Sequence, residues 1–122
     1  MEVLVVKNSD DLFAYLDSLG IAYTNREHEP VFTVAESQAL RDDIGGGHTK
    51  NLFLKDKKSN YFLLTVGDMA EINLKTIHQK IGAQGRVSFG SAEALSELLG
   101  VVPGSVTAFG VFNDTQGKVT LI

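Results

Sequence analysis

Apolar residues recur at helical spacing in four segments of the chain, and each segment predicts a helix. In the first, Leu12, Leu16 and Leu19 lie three or four positions apart, so they form one apolar face. Ser9 is a residue type that caps the start of a helix, and Gly20 is the type that ends one. The other three predicted helices begin at Thr33, Asn73 and Ser91 and end at about Arg41, Gly82 and Gly100.

Short apolar runs between these helices predict strands. Asn51–Lys55 and Tyr61–Val66 are separated by five polar residues typical of a hairpin turn, and the second run is apolar nearly throughout, as central strands are. A second hairpin is predicted from Ala108–Phe112 and Lys118–Ile122. Further strands are predicted at Val3–Val6 (or an ordered arm), Ile21–His28 and Arg86–Phe89. Helices interleaved with hairpins predict one α/β (α+β) domain, with a mixed, mostly antiparallel sheet and flanking helices.

Composition excludes several functional classes. The chain has 122 residues, a formal net charge of −4 and no Cys, so disulfides, a Cys nucleophile and a thiolate zinc site are excluded. A chain without Cys fits the reducing cytoplasm, where we expect the protein. Its longest apolar runs are too short to span a membrane, and we expect no membrane partner. The acidic balance and the lack of a helix-turn-helix pattern argue against DNA, but local basic clusters leave an RNA partner open.

The candidate chemistry centres on Lys50. The three His residues lack metal-ligand spacing, so we expect no metal or other cofactor. The run from Gly45 to Lys50 is similar to a phosphate-binding loop, but it lacks the required order and a strand follows it. Lys50 therefore stands between a glycine-rich loop and an apolar strand, where an ammonium could hold a phosphate, a carbonyl oxygen or an amino-acid ester. The alternative is a solvated surface lysine.

Two other stretches have both a functional and a purely structural interpretation. The loop Gly100–Thr107 could be the wall of a pocket, because glycine lets a ligand approach the backbone, or simply a helix end followed by a turn. Lys55, Lys57 and Lys58 crowd the first hairpin. They could be a solvated turn or a rim that contacts the phosphates of a nucleic acid.

The segment Gly46–Asp56, with the sequence GGHTKNLFLKD, resembles the signature of the YbaK/prolyl-tRNA synthetase-associated domain family. Glu27–Val34, Gly82–Gly90 and Leu99–Gly110 resemble the same family, so the similarity covers nearly the whole chain. It implies an α/β fold with a small pocket for an aminoacyl group. It also implies a hydrolase without a metal that removes a wrong amino acid from tRNA, above all alanine from proline tRNA.

The resemblance also implies roles for individual residues. The family's hallmark lysine falls on Lys50, which would be the catalytic residue. Substrate-binding residues would be His48, Thr49, Asn51, Val31, Phe32, Thr33, Gly100, Pro103, Gly104 and Ser105. The implied partner is aminoacylated tRNA, together with prolyl-tRNA synthetase or an elongation factor.

The sequence departs from the family in two places. Glu29 stands where relatives commonly have Pro. The family also continues past the position of Ile122 with a His-Pro segment and a helix, and we expect the chain to lack that segment. An alternative function is therefore a module that binds aminoacyl-tRNA or a synthetase without turnover.

Overall fold

A computed structural model describes residues 8–29 and 34–122, with the backbone only at Val34, Arg41 and Asp43. The predicted strand Val3–Val6 lies outside the described residues. So do Thr33, the predicted cap of the second helix, and the site residues Val31 and Phe32.

The core of the fold is a four-stranded sheet in the order β3-β1-β2-β4. Strands β1 (Thr49–Lys55) and β2 (Tyr61–Gly67) form the predicted antiparallel hairpin. Strand β3 (Ser88–Phe89) is antiparallel to β1, whereas β4 (Val119–Leu121) is parallel to β2. The predicted fold class, a mixed and mostly antiparallel sheet with flanking helices, is confirmed.

Four α-helices accompany the sheet in the described part of the chain: α1 (Ser9–Ser18), α2 (Val34–Asp43), α3 (Ile77–Ile81) and α4 (Ala92–Ala94). The α4 helix continues as a π-helical turn over Leu95–Leu99 and ends at Gly100, whose φ is +67°. Ser91 caps α4 as predicted, since its Oγ accepts a hydrogen bond from the N–H of Ala94 at 3.1 Å.

Two of the predicted helix starts are wrong. Asn8 rather than Ser9 caps α1, because Asn8 and Asp11 exchange reciprocal side-chain-to-backbone hydrogen bonds of 3.1 and 2.9 Å. Helix α3 begins only after Thr76, because the carbonyl of Asn73 accepts hydrogen bonds from the N–H groups of Thr76 and Ile77 in a tight turn. Gly82 ends α3 as predicted, with φ +74°.

Two predicted strands are also wrong. Ile21–His28 forms no strand, and its residues are exposed rather than paired with the sheet. Ala108–Phe112 lies in a 3₁₀-helix, Ala108–Asn113, because its backbone bonds locally: the Thr107 carbonyl accepts from the N–H of Gly110 at 3.0 Å. The second hairpin therefore does not exist, and β4 pairs with β2 instead.

The two faces of the sheet each cover a separate apolar cluster. Phe53 and Leu63 project to one face and pack with the helical segment that ends at Leu99. Leu54 and Phe62 project to the other face and pack with a cluster that includes Ile77 of α3. Neighbouring residues of a strand point to opposite faces, so β1 supplies both clusters in alternation.

Candidate active site

Lys50 lies at the start of β1 and is half-buried. Its Nζ donates a hydrogen bond of 2.5 Å to the carbonyl oxygen of Ala70. Ala70 belongs to the turn after β2, which is fixed by hydrogen bonds of 3.0 Å from the Ala70 N–H to the Gly67 carbonyl and from the Asp68 N–H to the His48 carbonyl. An ammonium has three N–H donors, and among the described residues this bond uses one of them to hold the Lys50 side chain.

Asn51 leaves the opposite face of β1 and connects the strand to the Gly100–Thr107 loop. Its Oδ1 accepts a 2.7 Å hydrogen bond from the hydroxyl of Thr65, the residue opposite it on β2. Its Nδ2 donates a 3.3 Å bond to the carbonyl of Val106. The carboxamide thus bridges the sheet and the loop, a positioning arrangement that the sequence did not reveal.

The Gly100–Thr107 loop is turned by two glycines in left-handed backbone conformations, Gly100 at φ +67° and Gly104 at φ +90°. The N–H of Ser105 closes a turn on the Val102 carbonyl at 3.0 Å. Pro103, Gly104 and Ser105 are exposed. Of these predicted site residues, Gly100 alone lines a mostly apolar cavity of about 170 Å³ between the start of α1 and the 3₁₀-helix.

The predicted site residues therefore fall into two groups. His48, Thr49 and Lys50 lie at the start of β1, with Thr49 exposed and His48 half-buried. Asn51 and the loop from Gly100 lie on the other face of the sheet. The run Gly45–Gly47 precedes the first group in the chain and is exposed, and a Cβ added at any of its glycines would meet nothing within 4 Å.

The lysines of the predicted RNA rim lie at the far end of the β1–β2 hairpin. Lys55 is half-buried in the sheet, and Lys57 and Lys58 are exposed. The Lys57 side chain lies against Gly85, where an added Cβ would come within 2.8 Å of its Cδ. Glycine at position 85 thus leaves room for the Lys57 side chain.

Asp56, at the start of the same turn, stabilises the fold. The sequence indicated it only as part of a polar turn. The residue is 3% exposed, and its carboxylate accepts hydrogen bonds from the backbone N–H groups of Lys58, Asn60 and Gln84 and from the Asn60 side chain, at 2.8 to 3.0 Å. Burial raises the pKa of Asp56, but these hydrogen bonds outweigh burial and hold the pKa at about 2. The carboxylate therefore stays ionised and fixes the turn.

Within residues 8–29 and 34–122, no group of three or more His, Cys, Asp or Glu side chains is arranged to hold a metal ion. None of the helices in these ranges is long and apolar enough to cross a membrane.

Known sequences that are similar to this chain include an editing-domain family and its members. The sequence profile of the aminoacyl-tRNA editing domain matches residues 28–122. The prolyl-tRNA editing protein ProX of Acetoanaerobium sticklandii is 38% identical over 112 residues, which cover 91% of this chain and 68% of that protein. Prolyl-tRNA synthetase associated domain-containing protein 1 of Xenopus laevis is 37% identical over 114 residues, covering 92% of this chain and 67% of the relative. Its putative human counterpart is 40% identical over 101 residues, and there the match covers 81% of this chain and 60% of the relative.

A solved structure has the same fold. The crystal structure of hypothetical protein APE2540 superimposes with a TM-score of 0.66 over 90% of this chain and 70% of that one. The two sequences are 19% identical, so the likeness concerns the fold alone.

Proposed function

The chain belongs to the aminoacyl-tRNA editing domain family, and from this premise we propose that it hydrolyses the ester bond of mischarged aminoacyl-tRNA, with alanine-charged proline tRNA as its substrate. The observation that carries the proposal is the position of Lys50. It is half-buried at the start of β1, and its ammonium is held by the Ala70 carbonyl.

The substrate follows from the limits of size selection. Alanine is smaller than proline, so a synthetase pocket built for proline cannot exclude it by volume. A missing methylene is worth only about 1–3 kcal/mol, or about 10–200-fold in discrimination. A second site that hydrolyses the smaller aminoacyl group restores accuracy.

In the proposed reaction, water attacks the carbonyl carbon of the ester, and the ribose oxygen leaves with a proton. Negative charge develops on the carbonyl oxygen in the transition state. N–H donors of the Lys50 ammonium would stabilise that charge, and the loss of one such donor in an active site can cost about 100-fold or more in rate. We assign no side chain as general base, since the ribose hydroxyl beside the ester is a group that the substrate itself supplies.

In this proposal, one substrate reaches both groups of site residues by passing over the exposed glycine run Gly45–Gly47. A substrate that contacts both Lys50 and the Gly100 loop has to cross the start of β1, because the two lie on opposite faces of the sheet. The three glycines there are exposed and leave the backbone uncovered. In this proposal Asn51 is a positioning residue, which holds the loop through the Val106 carbonyl.

The proposal is tested by single-turnover deacylation of proline tRNA charged with alanine, serine or proline. We expect rapid loss of alanine and retention of proline. Tight binding of alanine-charged tRNA without hydrolysis would contradict the proposal and would support the binding-module alternative. If prolyl-tRNA synthetase or an elongation factor supplies tRNA identity, its addition should increase selectivity for proline tRNA over other alanine-charged tRNAs.

A further inference from the structure

Charge is distributed very unevenly over this acidic chain. Three segments, residues 55–61, 80–86 and 114–118, contain six of the eleven Lys and Arg residues but only two of the fifteen Asp and Glu residues. The remainder contains five basic and thirteen acidic residues. We call these three segments the hairpin end, since they meet around the β1–β2 turn.

Backbone contacts join the first two segments, and the pairing of Val119 with Tyr61 brings the third segment beside the first. The Asp56 carboxylate accepts from the N–H of Gln84 at 2.8 Å, and the N–H of Lys57 donates to the Gln84 carbonyl at 3.2 Å. Asp114 accepts from the N–H groups of Lys118 and Val119 at 2.9 and 2.8 Å, just before β4 joins β2. Both carboxylates of the hairpin end therefore accept backbone hydrogen bonds, which shape the loops that carry its lysines.

An open cleft of about 720 Å³ lies between the three segments. Its lining combines polar side chains, among them Ser59, Asn60, Gln84 and Lys118, with apolar ones such as Phe62 and Ile81. Lys57 and Lys58 are exposed on the turn that forms one wall. Lys118 also lines a separate hollow of about 60 Å³, whose lining includes the acidic residue Glu97, so Lys118 marks the boundary of the basic region.

We propose that the hairpin end is a binding surface for the phosphate backbone of RNA. The inference rests on the proposed function, which makes the RNA the duplex part of the same tRNA whose aminoacyl end reaches Lys50. Residues 50 and 55 are five positions apart on β1, so the two contact regions are about 17 Å apart at the backbone. Exposed lysines around an open cleft suit phosphates, which they contact without reading bases.

The charge count favours a polyanion over an acidic protein surface. RNA presents a phosphate at every nucleotide, and an array of exposed lysines from three segments can contact several phosphates of a duplex at once. Such binding depends on salt, because each neutralised phosphate releases condensed counterions. An acidic protein partner is an alternative outcome of the experiment below.

The experiment measures the affinity of uncharged proline tRNA by fluorescence anisotropy at several salt concentrations, for the wild-type chain and the double variant Lys58→Gln/Lys118→Gln. We expect the variant to bind about three- to tenfold more weakly at low salt. We also expect its slope of log K against log salt to fall by about 1 to 2, since each lost phosphate contact contributes somewhat less than 1. An unrelated RNA duplex should respond in the same way.

Two controls and a second pair of substitutions separate this surface from a general effect of charge. Lys58→Arg/Lys118→Arg keeps both charges and should bind as the wild type does. Lys75→Gln, at an exposed position outside the hairpin end, should change the affinity less than twofold. A second pair, Lys80→Gln/Arg86→Gln, should weaken binding as the first does. Unchanged affinity in both Gln pairs, or an equal loss in Lys75→Gln, would overturn the proposal. If both Gln pairs bind RNA as the wild type does, the lysines of the hairpin end do not bind RNA, and an acidic protein becomes the partner to consider.

Kinetics distinguish failure of this proposal from failure of the proposed function. For alanine-charged tRNA, Lys58→Gln/Lys118→Gln should raise KM with kcat unchanged, because the contact is equal in the ground and transition states. An alanine-charged CCA trinucleotide, too short to reach the hairpin end, should be hydrolysed equally by both proteins. If the variant deacylates alanine-charged tRNA with an unchanged KM, the proposed RNA surface is wrong but the proposed function stands. Absence of deacylation by the wild type would overturn the proposed function, whereas lysine-dependent RNA binding would still support the surface.

Discussion

The ammonium of Lys50 donates a hydrogen bond to the carbonyl oxygen of Ala70, which ties the start of β1 to the turn after β2. The acceptor is a neutral carbonyl rather than a carboxylate, so the bond orients the side chain without neutralising its charge. A lysine held in this way suits the stabilisation of negative charge that develops on a substrate. Lys50 is therefore the residue on which the proposed hydrolysis depends most.

The bridge through Asn51 makes a first prediction. Asn51→Ala removes the bonds to Thr65 and to the Val106 carbonyl, and it should lower the free energy of unfolding by about 1–3 kcal/mol because half-buried partners lose their hydrogen bonds. It should also lower kcat, since the Gly100 loop loses its anchor. Urea unfolding and single-turnover deacylation measure the two effects.

Thr65→Val is the matched control, because it removes the hydroxyl donor but leaves the Asn51 bond to the loop. It should lower stability by about 1 kcal/mol and leave kcat within twofold of the wild type. Equal kinetic effects of the two substitutions would contradict a positioning role for Asn51.

Asp56 predicts a dependence of stability on pH. Its folded pKa of about 2 lies below the unfolded value of about 3.9, so its ionised form stabilises the fold. That contribution is fully present above the unfolded pKa and is lost as pH falls through the folded one. Asp56→Asn should therefore be less stable than the wild type at pH 6, and the difference should shrink between about pH 4 and pH 2.

Urea unfolding of both proteins across this range measures the effect. Glu71→Gln, at an exposed carboxyl outside the turn, should match the wild type in the same series. A stability difference for Asp56→Asn that stays constant down to pH 2 would show that the carboxylate charge does not stabilise the turn.

The contact between Gly90 and Phe53 makes a third prediction. An added Cβ at Gly90 would lie 2.3 Å from the buried ring of Phe53, which itself stacks on Tyr61 with ring centroids 5.3 Å apart. Gly90→Ala should lower the free energy of unfolding by about 1–3 kcal/mol, the usual cost of overpacking. Gly45→Ala has open space around the new methyl and should stay within about 0.5 kcal/mol of the wild type. Thermal unfolding compares the two, and equal stabilities would mean that the Phe53 ring moves aside freely.

Local patterns predicted the parts of the fold that local interactions determine. The β1–β2 hairpin, the caps at Ser91 and Gly82, and the glycine at the end of the π-helical turn all follow from residues within a few positions. The pairing of β4 with β2 joins residues far apart in the chain, and no local pattern contains it. The same apolar spacing in 108–112 suits a strand or a short helix, and tertiary context selected the helix.

Part of the candidate site could be predicted from the sequence, and part of it could not. Lys50 was singled out by its place between a glycine run and an apolar strand, and by a family resemblance. That Lys50 and Asn51 face opposite sides follows from strand geometry and could have been predicted. The partners of these side chains, Ala70 and Val106, are backbone carbonyls in distant loops. Any residue type presents a carbonyl, so the sequence carries no signal for such contacts.

The role of Lys50 in hydrolysis can be measured by single-turnover deacylation of alanine-charged proline tRNA with Lys50→Met, which removes the charge but keeps a long side chain. Lys75→Met, at an exposed position elsewhere, is the matched control. We expect Lys50→Met to lower the rate constant at saturating enzyme by about 100-fold or more, while Lys75→Met stays within twofold of the wild type. A rate constant for Lys50→Met equal to that of the wild type would contradict a catalytic role for Lys50.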